Sequence, residues 1–497
     1  MNSKKISKLL VANRGEIAIR IFRAATELHI RTVAIYTHED RYSLHRYKAD
    51  ESYQIGKNDE PLKPYLDIEE IIHLAKKIGA NAIHPGYGFL SENVNFARRC
   101  REEGIIFVGP APEVMEQLGD KIAAKNIARK ANVPVIEGSV VDLTNDNNAL
   151  SEAQRIGYPI MIKAAAGGGG RGMRVVWNDE QLKKSYNEAK NEAGKAFGDD
   201  TIFIEKFIDN PKHIEIQIMA DEYGNMVHLF ERDCSVQRRF QKVVEVAPCQ
   251  NLSAAAKQRI YQYAIDICKS VNYNNVGTVE FLVDPQENIY FIEVNPRIQV
   301  IQIARGYQLS DPQIYLKSQA DVKCNGYAIQ CRITTEDPEN GFTPDYGTIV
   351  AQRTAAGYGI RLDAGSLYTG SKISPFFDSM LVKISASGRT LKGTCQRLER
   401  ALKEFRIRGV KTNIAFLENV ITHPEFIEGN VTVKFIENHP ELFHFKRKLD
   451  RATKSLNYLG NVIVNGNPDV KYVDPTKVFV EPVVPDFDKY AAYPKGT

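Results

Sequence analysis

Apolar residues over the first hundred positions switch between two spacings. Lys8 to Ala12 is a short apolar run, Ile17, Ile21, Ala24, Ala25 and Leu28 recur at helical intervals, and Thr32 to Tyr36 is apolar again. That order is a βαβ unit. It continues through a helix near Ile68 to Ile78, a strand at Asn81 to His84, a helix near Phe96 to Glu103 and a strand at Ile105 to Val108. Apolar strands linked by helices predict a parallel, doubly wound first domain over residues 1–117. Its first turn, Asn13-Arg14-Gly15-Glu16, lacks the G-x-G-x-x-G spacing, so no dinucleotide site is read there.

From about Val135 the pattern changes. An apolar run from Tyr158 to Ala166 enters Gly167 to Gly170, Arg171 and Gly172, and a second run, Met173 to Trp177, leaves it. The reading is strand, glycine loop, strand. A polar helix from Glu180 to Phe197 and strands at Thr201 to Ile208, His213 to Ala220 and Met226 to Glu231 follow, with Gly224 at a hairpin turn. The His213 strand alternates strictly, with Ile214, Ile216 and Ile218 on one face and His213, Glu215 and Gln217 on the other. Such a polar face either meets solvent or lines a ligand pocket.

Farther on, an alternating segment from Tyr327 to Thr334, Gly- and Pro-rich turns and a helix near Leu391 to Glu404 mark a third unit. From Leu449 periodicity fades, and prolines gather at 475, 482, 485 and 494, which reads as a linker. The expected fold class is α/β and α+β multidomain. A central α+β domain spans 118–324 with a lid at about 135–206, a mixed α/β domain spans 325–448, and a linker spans 449–497.

Composition narrows the function classes. With 497 residues, 43% hydrophobic and 25% charged, the chain has the makeup of a folded multidomain protein. A net charge of +4 and a single basic cluster, Lys446 to Lys448, argue against nucleic acid. Seven cysteines without a C-x-x-C pair point to neither disulfides nor a thiolate metal site, and so to a reducing compartment. No signal peptide or membrane-length apolar run is visible. A cytoplasmic location is the expectation.

Two features carry chemistry. Successive glycines let backbone N–H groups turn to one side and cradle phosphate oxygens, so Gly168, Gly169 and Gly170, with Arg171 beside them, read as a phosphate-covering hairpin or a flexible surface one. Lys121 and Lys163 are candidate phosphate-binding charges, Lys163 because its strand feeds the loop. The second feature is a pair of carboxylates. With Pro285 to Asn288 as a four-residue hairpin loop, Glu280 stands opposite Glu293, a placement that suits a hard cation between them, with Asn295 on the same face. The competing reading is an exposed acidic sheet face.

These motifs, with Asn13 to Glu16, His84-Pro85-Gly86-Tyr87-Gly88-Phe89-Leu90-Ser91-Glu92-Asn93, Glu231 to Arg239, Glu293-Val294-Asn295-Pro296-Arg297-Ile298-Gln299-Val300 and Pro375 to Ser379, resemble the biotin carboxylase family of ATP-grasp enzymes along nearly the whole chain. The tail, Arg451 to Lys454 and Leu459 to Gly466, resembles the stretch after that domain in pyruvate carboxylases. The resemblance implies that ATP phosphorylates bicarbonate to carboxyphosphate, and that the CO₂ released from it carboxylates N1 of a carrier-bound biotin. It assigns ATP binding to Lys121, Lys163, His213 and Gln237, with Glu205, Lys206 and Ile208 around the adenine. It assigns Mg²⁺ or Mn²⁺ to Glu280, Glu293 and Asn295. Lys242 and Arg297 position bicarbonate and carboxyphosphate, and Arg332 steadies the biotin or the leaving phosphate.

The implied partners are a biotinylated carrier and a carboxyltransferase, neither found in this chain, and a second copy of the chain in a homo-oligomer. Two departures stand out. The family continues Gln-Val with Glu-His and a helical segment, the Glu acting as base toward bicarbonate, but here Val300 runs into Ile301-Gln302-Ile303-Ala304. Phe240 replaces the usual His. A nucleotide-binding module with impaired carboxylation, and a subunit of an acyl-CoA carboxylase, are the alternative readings.

Overall fold

The computed structural model describes residues 4–138, 146–164, 173–197, 201–298, 300–445 and 451–466. Leu9 and Val11 belong to one buried cluster and Leu10 and Ala12 to another, so the first strand needs a packed layer on each face. Five parallel strands provide the sheet, in the order β3-β2-β1-β4-β5: β1 Lys8–Val11, β2 Arg31–Tyr36, β3 Glu51–Gln54, β4 Ala82–His84 and β5 Ile106–Phe107. Phe22 of helix Gly15–Glu27 packs on one side. Ile71 and Phe96, from helices Ile68–Lys77 and Val94–Glu102, pack on the other. Asp67 and Asn93 start these two helices by accepting from the N–H groups of Glu70 and Phe96.

The strand, loop, strand pattern is an antiparallel hairpin: β6, Ile160–Ala164, pairs with β7, Arg174–Val176, and on its other side with β8, Ile202–Lys206. Helices Asp146–Ile156 and Asp179–Phe197 cover it through Ala149, Ala153, Leu182, Tyr186 and Ala189. The loop itself, with Gly168, Gly169 and Gly170, lies outside the described residues.

Eight antiparallel strands form the main sheet. They run in space as β13 Ile289–Ile298, β12 Asn275–Val283, β9 Lys212–Ala220, β10 Met226–Arg238, β11 Gln241–Ala247 and β14 Tyr327–Thr334, then Met380–Gly388 and Ile360–Ala364. Ile214, Ile216, Ile218, Val279 and Phe281 share a core with Ile260, Ala264 and Ile267 of helix Ala254–Ser270. The alternation on β9 therefore sends its polar residues to the opposite face. Pairing of β11 with β14 carries this sheet across the expected division at 324–325.

Two elements differ from the sequence reading. Val283 pairs with Ile289, which makes the turn five residues rather than four, and a bulge between Phe281 and Glu280 then returns Glu280 to Glu293. An odd turn alone would have moved Glu280 one residue out of step; the bulge restores the expected pairing. The other is the tail, a separate unit from Phe445 onward. There Arg451–Asn465 is helical, although the sequence reading found only a linker without periodicity. Leu456, Leu459 and Ile463 stand at i, i+3 and i+7 around Gly460, too short a pattern to stand out.

In the first domain, His45 is fully buried, with Nε2 against the Ile35 carbonyl at 3.1 Å and Nδ1 against Ser43 Oγ at 2.8 Å. Burial pushes its imidazole down to about 4. A histidine that folds neutral contributes stability above the free imidazole value, near 6.5, and that contribution is lost as pH falls toward 4. Unfolding free energy should therefore drop by about 3 kcal/mol between pH 6.5 and 4 on account of this group. Chemical denaturation of wild type and His45→Gln across that window checks it; equal pH slopes would contradict it.

Candidate functional site

The polar face of the main sheet places three carboxylates in one cross-strand row. Glu293 on β13 stands opposite Glu280 on β12, Glu280 opposite Glu215 on β9, and Glu215 opposite Arg232 on β10. Glu215 and Glu280 are buried. Like charges held side by side this way require cations. Lys242, reaching over from β11, contacts Glu215 and lies 2.7 Å from Glu280 Oε1. Arg232 donates to Glu215 Oε2 at 2.8 Å and to Gln217 Oε1 at 3.0 Å.

His213 lies 2.7 Å from Glu280 Oε2 through Nε2. Its Nδ1 meets the Gln237 amide at 2.6 Å, and Gln237 also donates to the Cys234 carbonyl. Asn295 donates to Glu280 Oε1 at 2.5 Å. Burial by itself would raise the Glu280 carboxyl, but His213 and Lys242 outweigh it through charge and hydrogen bonding and hold it well below the usual carboxylate range. Predicted residues His213, Gln237, Lys242, Glu280, Glu293 and Asn295 thus share one face. Carboxylate and amide oxygens from Glu280, Glu293, Glu215 and Asn295 are the donor set a hard divalent cation takes.

Arg332 on β14 continues this face and donates to Glu245 of β11 at 2.7 Å. Its Nε is buried and has no hydrogen-bond partner among the described residues. Lys383 is its cross-strand neighbour, with Nζ 2.9 Å from the Tyr87 hydroxyl and 3.1 Å from Glu16. Arg297, at the end of β13, meets Glu92 at 3.1 Å. The segments Asn13–Glu16 and His84–Asn93 thereby reach the rim of the sheet's polar face.

A second group lies around an open cleft lined by Lys121, Lys125, Ile136, Gly138, Phe203 and Glu205, among others. Glu205 is buried, contacts Lys125 and lies 2.6 Å from Lys163. Burial and the neighbouring Lys121 push Lys163 down to about 8, with Glu293 opposing. Glu293 therefore links the cleft to the carboxylate row. Of the residues expected around an adenine, Glu205 forms part of the cleft wall. Lys206 turns to the carbonyls of Gly157 and Tyr158, each at 2.9 Å, and Ile208 is half-buried just past β8.

Sequence reasoning missed Lys125, Glu215, Arg232, Glu245 and Lys383 as members of the site. Glu215 and Arg232 carried a signal, since both sit in alternating strand segments; Lys125, one turn after Lys121 on helix Lys121–Lys130, carried a helical one. The two departures lie in different settings. Ile301 opens the short helix Ile301–Ala304 and is buried in the first domain's core with Phe22 and Leu9. Phe240 sits with Arg239 in the two-residue turn between β10 and β11, both at positive φ, and is 46% exposed.

Comparison with known proteins covers most of the chain. Residues 5–115 match the family described as biotin carboxylase, N-terminal domain, residues 120–314 the carbamoyl-phosphate synthase L chain, ATP binding domain, and residues 330–438 the biotin carboxylase C-terminal domain. The pyruvate carboxylase of Staphylococcus aureus is 54% identical over 485 residues, 94% of this chain but 42% of the relative. The chain thus spans about two fifths of the length of such relatives. The biotin carboxylase domain dimer of the Hydrogenobacter thermophilus 2-oxoglutarate carboxylase, solved with MgADP, ADP and bicarbonate, superposes with a TM-score of 0.85 at 43% identity, covering 89% of this chain and 100% of that one. The Campylobacter jejuni biotin carboxylase, solved with a β,γ-ATP compound, gives 0.83 at 39% identity over 88% and 100%.

Removing Lys242 leaves Glu215 and Glu280 buried with less compensating charge. Lys242→Met should therefore cost about 3–5 kcal/mol of stability, read from a denaturant midpoint. Millimolar Mg²⁺ should restore part of it by supplying charge to the same carboxylates. A variant as stable as wild type, or one blind to Mg²⁺, would contradict this account.

Proposed function

Because the chain belongs to the biotin carboxylase family of ATP-grasp enzymes, we propose that it uses ATP and bicarbonate to carboxylate a carrier-bound biotin, as the N-terminal part of a pyruvate carboxylase. The observation that carries the reading is the carboxylate row under Lys242, flanked by Arg297 and Arg332 and linked through Glu293 to the lysine cleft. Phosphoryl transfer to bicarbonate asks for positioned charge rather than covalent catalysis.

In this proposal Lys121, Lys163 and the glycine hairpin with Gly168, Gly169 and Gly170 hold the ATP phosphates. Glu205, Lys206 and Ile208 border the adenine, and His213 with Gln237 orients the nucleotide side of the sheet. Glu280, Glu293 and Asn295 hold Mg²⁺ or Mn²⁺, which neutralises phosphate charge when bound. Lys242 and Arg297 position bicarbonate and carboxyphosphate, and the unpartnered Nε of Arg332 is a donor ready for an anionic oxygen. Ile301 offers no group to take the bicarbonate proton.

The biotinylated carrier and the carboxyltransferase belong to the proposal, as does a homo-oligomer. A cytoplasmic location does too, and all seven cysteines are free thiols, as a reducing compartment allows. Among the described residues no helix is long and apolar enough to cross a membrane.

The test is ADP release by the purified chain with ATP, Mg²⁺, bicarbonate and free biotin. Bicarbonate-dependent turnover is expected, slowed by the lack of a general base at Ile301. Arg297→Ala and Arg332→Ala should lower kcat about 100-fold, the size of a lost transition-state charge contact. Lys163→Ala should instead raise the KM for ATP. Nucleotide binding without any bicarbonate-dependent ADP would overturn the carboxylation half and leave a nucleotide-binding module.

A further inference from the structure

The C-terminal part of the compact unit contains the same four-residue pattern twice, His423-Pro424-Glu425-Phe426 and His439-Pro440-Glu441-Leu442. Each histidine stands immediately before a short helical turn that its proline begins, Pro424–Glu428 and Pro440–Phe443. The apolar fourth residues, Phe426 and Leu442, are buried and anchor the two turns. The charged residues of the turns then meet crosswise. His423 Nε2 lies 3.3 Å from Glu441 Oε1, and His439 Nε2 lies 3.3 Å from Glu425 Oε1.

We propose that this crossed pair of His-Pro-Glu turns is a binding site for one divalent transition-metal cation of the zinc kind, ligated by His423, His439 and Glu441, with Glu425 beside them against His439. Ligand atoms of His423, His439 and Glu441 all fall within 4.8 Å of one another. The imidazole rings are 4.3 Å apart and stand at 62° to each other, the disposition of two ligands converging on a point rather than of a stack. A nitrogen-to-oxygen separation of 3.3 Å is long for a charge-assisted hydrogen bond, which runs about 2.7–2.9 Å. It equals the edge of a tetrahedron with bonds of about 2.0–2.1 Å, roughly 3.3 Å.

The surrounding groups set the tautomer. His439 Nδ1 donates to the Phe435 carbonyl at 2.7 Å, which leaves the lone pair on Nε2, the atom facing the carboxylates. The Phe435 ring is buried against both imidazoles, with centroids 5.3 Å and 4.8 Å away, and limits their rotation. His423 Nδ1 is buried without a hydrogen-bond partner among the described residues. Two imidazoles and a carboxylate select zinc-like ions over Mg²⁺, which takes an all-oxygen octahedral shell. This site is separate from the carboxylate row on the main sheet, and a cation there would clip together the segments around residues 423 and 439.

The experiment uses the full chain, stripped with a chelator and titrated with Zn²⁺ alone and Co²⁺ alone while excess Mg²⁺ fills oxygen-ligand sites. One tight equivalent is expected, with the intense visible bands of tetrahedral Co²⁺ and a melting temperature that rises with Zn²⁺ concentration. His439→Gln and the half-exposed Glu441→Gln should each weaken binding at least tenfold and dim those bands. Absence of the bands in the wild-type chain, or bands unchanged in Glu441→Gln, would overturn the proposal. Should His439→Gln fail to fold, the wild-type spectrum and Glu441→Gln still decide it.

Discussion

The constraint on which the rest depends is the row Glu293, Glu280, Glu215 across three adjacent strands. Two of these carboxylates, Glu215 and Glu280, are buried, and they are held there by Lys242, Arg232 and His213 arriving from neighbouring strands. Strand order decides who arrives. Only because β9 lies between β12 and β10, and β11 follows β10, do a histidine, an arginine and a lysine surround one acidic row. The isoleucines on the other side of β9 fix its facing, since turning the strand over would bury three charged or amide side chains in the apolar core and expose Ile214, Ile216 and Ile218.

Around that row the molecule is built from separate sheets. The main sheet runs unbroken from β13 to Ile360–Ala364, so Glu293 at one end and Arg332 on β14 are fixed relative to each other by ladder hydrogen bonds. The three-stranded sheet β7-β6-β8 is separate from it and carries Lys163 and Glu205 with its own small core.

Much of the architecture was legible beforehand because it follows from local spacing. The βαβ alternation of the first hundred residues, the hairpin on either side of the glycine loop and the facing of β9 are all periodicity, and periodicity is local. The pairing of Glu280 with Glu293 was reached by counting, yet the count assumed an even turn where the structure has a five-residue turn and a compensating bulge. A bulge leaves no mark on apolar spacing, and so could not be read. The helix Arg451–Asn465 was missed for a related reason, its apolar stripe being only three residues long.

The sequence by itself determined which residues bear charge, which faces of strands are apolar and, through many ordered motifs, the family. It could not determine which cations neutralise which carboxylates. Lys125 against Glu205, Lys242 between Glu215 and Glu280, and Lys383 beside Tyr87 and Glu16 join residues far apart in the chain. Such pairs exist only once strands from three regions are brought edge to edge, because electrostatic partnership depends on distance in space and on burial. Position along the chain sets neither.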